Sequence, residues 1–325
     1  LEDWLYERPE GKGDLIETRS VQRYRFEDVD VVGDQGFIYP TQHAVVAVCE
    51  TMRRVSPRSL RRPIGLLRHR AQGSLFHLTG NNHDSHGHFV MQHLPRLMAV
   101  RERLLNEPAT KLLLAPGHSR WQQFYLDKLG FGPERLMECT RGTLRCTELE
   151  YVPFYYARAT NVHEASCNLA LRELFVKGVP EAAPRDLFLS RRTAPHRVLL
   201  NEDQVYAECK QLWPRLERVD LSDYNSEEQL RLFAPARVVI GPFGQSLTNL
   251  IYAREPLAMV LIANDTITGF STAFRNLALQ LGGEGVVMSA GMTEGYRPMA
   301  DWTFPLERLR KQLDRLYSLL QDKYR

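Results

Sequence analysis

Residues 237–249 read Arg-Val-Val-Ile-Gly-Pro-Phe-Gly-Gln-Ser-Leu-Thr-Asn. The apolar run from Arg237 to Ile240 predicts a buried strand, and Gln245 to Tyr252 predicts a helix that follows almost at once. Between them, Gly241 and Gly244 allow a sharp turn and a close approach of the backbone. A buried strand that leads through a glycine turn into a helix is typical of a parallel α/β sheet.

The same alternation of strand and helix extends from this stretch in both directions. The pattern predicts strands at 186–190, 218–221, 258–263 and 286–288 and helices at 201–212, 225–233 (with Ser226 as its cap) and 272–281. Nearer the N-terminus it predicts a hairpin at 29–39, strands at 74–79, 111–115, 136–139 and 144–151, and helices at 87–105 and 121–129. We therefore expect an α/β fold of two Rossmann-like, doubly wound domains that face a cleft.

The domain limits follow from the interruption of this alternation by an aromatic and proline-containing stretch at 153–185. We predict an N-terminal Rossmann-like domain at residues 1–165 and a C-terminal one at residues 166–304. Residues 305–325 form an amphipathic pattern that predicts a helix, which we expect to pack back on the N-terminal domain.

Composition narrows the class of protein. The 325 residues carry 42 basic and 39 acidic side chains, a net charge of +3 that is too mild to indicate nucleic acid or a membrane surface as the main partner. The sequence contains no run of 18 apolar residues and therefore predicts no transmembrane span. Its five cysteines include no CxxC pair and do not indicate a disulfide framework. The chain starts at Leu1, so we expect a trimmed sequence and leave a preceding signal or anchor segment open.

Two groups of residues predict an anion site in the C-terminal half. The glycine turn exposes the first N–H groups of the following helix, to which Ser246 and Thr248 add hydroxyls. Ser190-Arg191-Arg192 follows a predicted strand, so its arginines are expected at the same edge of the sheet. The alternatives are an ordinary strand-to-helix turn and arginines held in surface ion pairs.

A second candidate site is the histidine-rich segment that leads into the helix at 87–105. His77, His83, His86, His88 and His93 are five histidines in 17 residues, with Asp84 among them. A metal site is one interpretation, but the spacing matches no zinc motif. The others are a general base at His88 and histidines with purely structural contacts. Asp28-Val29-Asp30 has the form of a metal-binding DxD, but it precedes a β-rich run rather than following a strand.

Several motifs in this order resemble glycosyltransferase family 61. That family has an N-x-x-H-W/F segment leading into L-P-R-L, followed by S-R-R, N-E, E-Q and G-P-H-G-A-G-L-T-N. The matching residues here are Asn82 or Ser85 through His88-Phe89, Leu94 to Leu97, Ser190 to Arg192, Asn201-Glu202, Glu228-Gln229 and Gly241 to Asn249. The resemblance covers about residues 75 to 275. Three features depart from it: Phe243 replaces a histidine, Gln245-Ser246 replaces Ala-Gly, and Gln92 replaces an acidic residue.

The resemblance implies a GT-B fold and an inverting, metal-independent glycosyltransferase, a hexosyl- or pentosyltransferase. The donor would be a nucleotide sugar, a UDP-sugar by this resemblance, as co-substrate without a further cofactor, and the acceptor a glycan or a surface polysaccharide such as capsule. Bacterial members imply a cytoplasmic location, with membrane association left open. The alternatives are a metal-dependent hydrolase built on the His77–His93 cluster and a non-catalytic sugar- or nucleotide-binding remnant.

Residue roles follow from the same resemblance. We expect His88 to act as the base, with Asp84 as its orienting partner or its substitute, and we expect no metal ligands. The expected donor-binding residues are Ser190, Arg191, Arg192, Arg197, Asn201, Glu202, Gly241, Phe243, Gly244, Gln245, Ser246, Leu247, Thr248 and Asn249.

Overall fold

The computed structural model of the protein describes residues 23–33, 36–39, 68–80, 82–139, 142–152, 165–254, 258–264, 268–291 and 299–323. They belong to two compact units, one within Ile16–Tyr156 and the other within Ala157–Arg325. The division falls within residues 153–164, which lie outside the described residues, so the predicted boundary after residue 165 stays a prediction. The tip of the predicted hairpin at 34–35 and Asn81 also lie outside them.

The N-terminal unit contains a mixed six-stranded sheet in its described part. Its strands are β1 (Tyr24–Val32), β2 (Phe37–Tyr39), β3 (Arg68–His77), β4 (Lys111–Leu114), β5 (Leu136–Glu138) and β6 (Thr143–Tyr151), in the order β2-β1-β6-β3-β4-β5. Strands β6, β3, β4 and β5 run parallel, as predicted. The sheet as a whole is not the predicted parallel one, because β1 pairs antiparallel with both β2 and β6. A turn as short as the one between β1 and β2 permits only antiparallel pairing.

One irregular helix follows β3 where the sequence predicted a regular one. It consists of α1 (His86–His88), a π-helical turn (Phe89–His93) and α2 (Leu94–Met98), and after a break it continues as α3 (Arg101–Asn106). The π turn closes with a hydrogen bond from the Leu94 N–H to the Phe89 carbonyl. Pro95 follows directly and has no N–H to continue the α-helical ladder, which accounts for the wider turn. The next helix, α4 (Arg120–Lys128), begins with a capping box between Ser119 and Gln122.

The C-terminal unit contains a five-stranded parallel sheet, which confirms the predicted Rossmann-like α/β architecture for this half. The strands are β7 (Arg185–Leu189), β8 (Leu216–Val219), β9 (Ala236–Pro242), β10 (Ala258–Ala263) and β11 (Glu284–Ser289), in the order β11-β10-β9-β7-β8. All four pairings are parallel. Every residue of β10 is buried, as expected for a parallel strand that is covered on both faces.

The helices of this unit are α5 (Ala165–Val176), α6 (Glu202–Leu212), α7 (Ser226–Phe233), α8 (Thr268–Gln280) and α9 (Leu306–Lys323). Helix α5 was not predicted, because prolines and aromatics around it obscured its pattern. Asn225, rather than the predicted Ser226, caps α7 by accepting the N–H groups of Glu227 and Glu228. The segment Gln245–Tyr252 is a 3₁₀ helix rather than the predicted α-helix.

Helix α9 is formed as predicted, but it packs on the C-terminal unit. Leu309, Leu313 and Leu316 lie on one helical face and are buried in the same core as Phe188 and Val205. This face completes the C-terminal core, and the expected packing of residues 305–325 on the N-terminal domain stays a prediction.

Candidate active site

The strand order of the C-terminal sheet reverses between β7 and β9. The chain proceeds from β7 outward to β8, then returns to β9 on the other side of β7 and continues to β10 and β11. In open α/β sheets, ligands bind beyond the carboxyl ends of the strands at such a reversal. We call this place the switch point; Ser190 follows β7 there, and Phe243 follows β9.

Glycine at position 241 permits the two strands to approach closely at the switch point. A Cβ atom on Gly241 would lie 2.9 Å from Leu189 Cβ and 3.1 Å from the Leu189 carbonyl oxygen. These atoms belong to β7 itself or are attached directly to it, so they cannot move aside. Gly241 is therefore required by the sheet, as the close-approach interpretation predicted.

Arg191 lies directly against Gly244. A Cβ atom on Gly244 would lie 3.0 Å from Arg191 Cζ and 3.2 Å from its Cδ, and it would overlap Nη1. The guanidinium Nη2 donates to the His196 carbonyl at 2.9 Å. The structure thus brings together Arg191 and the glycine turn, two features that the sequence placed at one edge of the sheet.

The environment of Arg191 suits an anion. Burial and the neighbouring Arg197 lower the pKa of Arg191 from its ordinary value, while Glu202 and Asp220 act in the opposite direction. Among the described residues no carboxylate lies within ion-pair distance of its guanidinium, and its Nε is buried without a hydrogen-bond partner. A half-buried cation with unused donors is stabilised by a bound anion.

Arg192, the second arginine of the predicted pair, forms ion pairs with two acidic residues of α6. Its Nε lies 3.5 Å from Glu202 Oε1, and its Nη2 contacts the Asp203 carboxylate. The buried Glu202 also accepts hydrogen bonds from Ser190 Oγ at 2.6 Å and from the Arg191 N–H at 2.9 Å. Ser190, Arg192 and Glu202 therefore hold the turn after β7, and the expected convergence of Arg191 and Arg192 occurs for Arg191 alone.

Arg197 supplies a second cation near the switch point. Its Cζ lies 5.1 Å from the centroid of the Phe243 ring, and its backbone adopts a left-handed conformation with φ 58°. Phe243 in turn contacts Phe274 edge to face, with ring centroids 5.6 Å apart. Non-glycine residues in this conformation are uncommon and concentrate at ligand-binding sites.

The 3₁₀ segment after Gly244 holds the remaining predicted donor residues. Gln245 is exposed, whereas Leu247, Thr248 and Asn249 are buried. Thr248 Oγ1 donates to the Gln245 carbonyl at 2.7 Å.

Asn249 and Asn201 both make side-chain hydrogen bonds inside the unit. Asn249 Nδ2 donates to Gln229 Oε1 at 2.8 Å, and Gln229 Nε2 donates onward to the Leu221 and Tyr224 carbonyls. Asn201 donates to the Phe304 carbonyl and accepts from the Phe304 N–H. These contacts tie the site to α7 and to the segment before α9.

In the N-terminal unit, His88 is half-buried and is oriented by Gln92. His88 Nδ1 lies 2.9 Å from Gln92 Oε1. A carboxamide oxygen only accepts hydrogen bonds, so this contact favours the tautomer of the neutral imidazole that has its proton on Nδ1 and its lone pair on Nε2. Among the described residues no hydrogen bond or ion pair links His88 to Asp84, which is exposed. The partner we expected to orient His88 is therefore replaced by Gln92, four residues along the same helix.

The other histidines of the cluster are held apart by separate partners. His77 Nε2 lies 2.7 Å from the Gly36 carbonyl, and His86 Nε2 lies 2.7 Å from the Tyr125 hydroxyl. Burial lowers the pKa of His77 to about 3 and that of His86 to about 4, and it lowers the pKa of His93 well below its ordinary value. In the part of the chain that the structure describes, no three His, Cys, Asp or Glu side chains form a group that could hold a metal ion. The metal-dependent hydrolase interpretation is therefore not supported.

Arg96, which the sequence reasoning did not select, connects the helix of His88 to the sheet. It is buried, and it donates to the Val152 carbonyl at 2.6 Å and to the His77 carbonyl at 2.7 Å. Burial lowers its pKa to about 10, so it stays charged near neutral pH. It thereby joins α2 to the carboxyl ends of β3 and β6. The His88–Gln92 spacing of four residues was a readable signal, whereas nothing in the sequence indicated the burial of Arg96.

The structure defines the class of the protein as a Rossmann-like α/β protein with a cationic site at a sheet switch point. The family model described as Glycosyltransferase 61 matches residues 86–260, more than half of the chain. The chain therefore belongs to glycosyltransferase family 61, and the resemblance noted from its motifs is confirmed at the level of the family.

The matched region contains both His88 and the switch point, and membership of the family implies transfer of a sugar from a nucleotide sugar to a glycan acceptor. No curated protein matches the chain. Among the described residues, no helix is both long and apolar enough to span a bilayer.

Proposed function

We propose that this protein is an inverting glycosyltransferase that moves a sugar from a UDP-type donor to a hydroxyl group of a glycan. The observation that carries the proposal is the contact between Arg191 and Gly244 at the switch point of a family 61 domain. In this proposal the two units form the two halves of a GT-B enzyme, with the donor on the C-terminal unit and the acceptor on the N-terminal unit.

The C-terminal unit would stabilise the leaving diphosphate. As the bond between the anomeric carbon and the phosphate oxygen breaks, negative charge develops on the departing UDP. Arg191 provides preorganised donors for this charge, and Arg197 adds a second positive charge nearby. Donors aimed at developing charge contribute about 3–4 kcal/mol each to lowering a barrier. We propose that these guanidinium groups do this without a metal ion.

The N-terminal unit would supply the base. The acceptor hydroxyl attacks the anomeric carbon from the face opposite UDP, and His88 Nε2 takes up the hydroxyl proton. The hydrogen bond to Gln92 keeps the proton of neutral His88 on Nδ1, so the nitrogen available as base is defined. A positioned base of this kind raises a rate by about 10²- to 10⁴-fold.

The biological setting is proposed on the same family basis. We propose that the acceptor is a bacterial surface polysaccharide such as capsule, and that the enzyme works in the cytoplasm without a bound cofactor. Exclusion of water from the reacting centre would protect the donor from hydrolysis.

The test is a comparison of turnover and donor affinity in a His88→Ala variant. A thermal-shift panel of nucleotide sugars first identifies the donor, because a ligand that binds only the native state raises the melting temperature. We expect His88→Ala to reduce sugar transfer by about 10²-fold or more while UDP affinity is retained. His69→Ala, which removes an exposed histidine of β3, is the matched control. Unchanged turnover in His88→Ala would reject the assignment of the base, and transfer abolished by chelator would reject metal independence.

A further inference from the structure

Two guanidinium groups lie close together at the switch point. Arg191 contacts Gly244, and Arg197 lies over the ring of Phe243, one residue before that glycine. The pKa of Arg191 is lowered by burial first and by the neighbouring Arg197 second, while Glu202 and Asp220 raise it. Two like charges held together in a half-buried place are relieved by an anion that contacts both.

The loop that carries both arginines is fixed at several points. Arg191 itself connects the two ends of this loop, because its Nη2 donates to the carbonyl of His196, the residue directly before Arg197. On the other side, the Val198 N–H donates to Asp301 Oδ1 at 2.8 Å. Arg197 between these anchors adopts the left-handed conformation. The backbone therefore holds Arg197 in an unfavourable conformation that returns its side chain to the end of β9.

Phe243 provides a rigid surface under Arg197. The Phe243 N–H donates to the Ile262 carbonyl at 2.9 Å, which fixes the backbone to β10. The edge-to-face contact with Phe274 supports the ring, and Phe274 is itself buried. A guanidinium over an aromatic face is attracted by the ring and loses side-chain freedom before any ligand arrives.

We propose that Phe243 is a positioning residue that presents Arg197 to the same diphosphate that Arg191 binds. This inference rests on the proposed function for the identity of the ligand, and it assigns the ligand class as a diphosphate rather than a single phosphate. Two guanidinium groups, each capable of paired hydrogen bonds, match two linked phosphates better than one. Phe243 thus takes part in donor recognition through Arg197, without a polar group of its own.

The experiment measures binding of inorganic pyrophosphate and inorganic phosphate by calorimetry. Phe243→Met and Phe243→Leu remove the aromatic face but keep an apolar side chain, and Phe243→Tyr keeps the face. We expect Met and Leu to weaken pyrophosphate binding by about 2- to 30-fold, with a smaller effect on phosphate, and Tyr to restore it. Phe124→Leu is the matched control, because Phe124 is also half-buried and contacts a cation, with Lys128 Nζ 5.6 Å from its ring centroid.

A double-mutant cycle tests whether Phe243 acts through Arg197. In an Arg197→Gln background, Phe243→Met should have no further effect on pyrophosphate affinity. Equal pyrophosphate affinity of Phe243→Met and the unaltered protein would overturn the proposal, as would additive effects in the cycle or absence of pyrophosphate binding.

The result is independent of sugar transfer. Pyrophosphate binding with the expected pattern, in a protein that turns over no nucleotide sugar, supports the role of Phe243 and rejects the proposed function. If the protein transfers sugar, and Phe243→Met changes neither this transfer nor the pyrophosphate affinity, the proposed function is supported and the role of Phe243 is rejected.

Discussion

Gly244→Ala separates ligand binding from stability at the switch point. The new Cβ would lie 3.0 Å from Arg191 Cζ and 3.2 Å from its Cδ, closer than the ordinary carbon–carbon contact of about 3.5–4.0 Å. The guanidinium is the far end of a flexible side chain, so it is displaced rather than the backbone. The backbone at Gly244 is extended, with φ −176° and ψ 168°, and alanine adopts this conformation without strain.

The magnitude follows from what the displaced guanidinium loses. Each hydrogen bond between a charged donor and an anion contributes about 1.5–3 kcal/mol. Loss of one such bond to a bound diphosphate weakens affinity by about 10- to 150-fold. Stability should change little, because alanine at a compatible backbone restricts the unfolded chain and this offsets the loss of the hydrogen bond from Arg191 to the His196 carbonyl.

The assay pairs UDP calorimetry with thermal melting, and Gly241→Ala is the comparison. At Gly241 the new Cβ meets Leu189 Cβ and its carbonyl oxygen, which cannot move, so the melting temperature should fall. Gly244→Ala should instead lose affinity with no fall in melting temperature. UDP binding by Gly244→Ala that equals that of the unaltered protein, or melting as early as that of Gly241→Ala, would contradict this prediction.

Three further predictions concern the proposed base, a helix cap and the buried histidines. Gln92→Leu should lower the rate of transfer by about 10-fold or more with little change in UDP affinity, because His88 loses its orienting acceptor; equal rates would contradict the role of Gln92. Asn225→Ala should cost about 1 kcal/mol of unfolding free energy, measured by urea denaturation, with no change in UDP affinity, since it removes the α7 capping box; an unaltered midpoint would contradict it. The pKa values of His77 and His86, about 3 and about 4, lie below their ordinary value of 6.5, so the unfolded chain takes up protons first and stability should fall as pH is lowered from about 6.5 toward 4. His86→Gln, which keeps an acceptor for Tyr125 but does not titrate, should make this fall in melting temperature shallower, and an identical pH profile would count against the burial argument.

The parts of the fold that the sequence predicted are those set by local pattern. Continuous apolar runs such as Ala258 to Ala263 identify buried parallel strands, because both faces of the sheet are covered. The contact of Arg191 with Gly244 was predictable, since the carboxyl ends of parallel strands meet at one edge.

The features that were not predicted depend on contacts distant in sequence. The sequence favoured Arg192, beside Arg191 at the end of a predicted strand, and gave Arg197 only as one of the further donor-binding candidates. Arg192 pairs with Glu202 and Asp203, while a left-handed backbone returns Arg197 to Phe243. Neither the partner carboxylates nor the backbone conformation is visible in a local pattern.

The N-terminal half departed further from expectation for similar reasons. The antiparallel pairing of β1 with β6 joins segments more than 100 residues apart. The π-helical turn depends on how the helix accommodates Pro95, which a helical hydrophobic pattern does not reveal. Gln92 stands where the family has an acidic residue, so the sequence indicated only that a carboxylate is missing. In the structure, the amide oxygen of Gln92 orients His88.

The proposed function depends above all on binding of the donor diphosphate at the switch point of the C-terminal unit. The most direct test is a crystal structure of the protein with UDP. We expect both phosphates at the carboxyl ends of β7 and β9, with the Arg191 guanidinium within hydrogen-bond distance of phosphate oxygens beside Gly244. A diphosphate bound elsewhere on the protein, with Arg191 still directed to the His196 carbonyl alone, would contradict it.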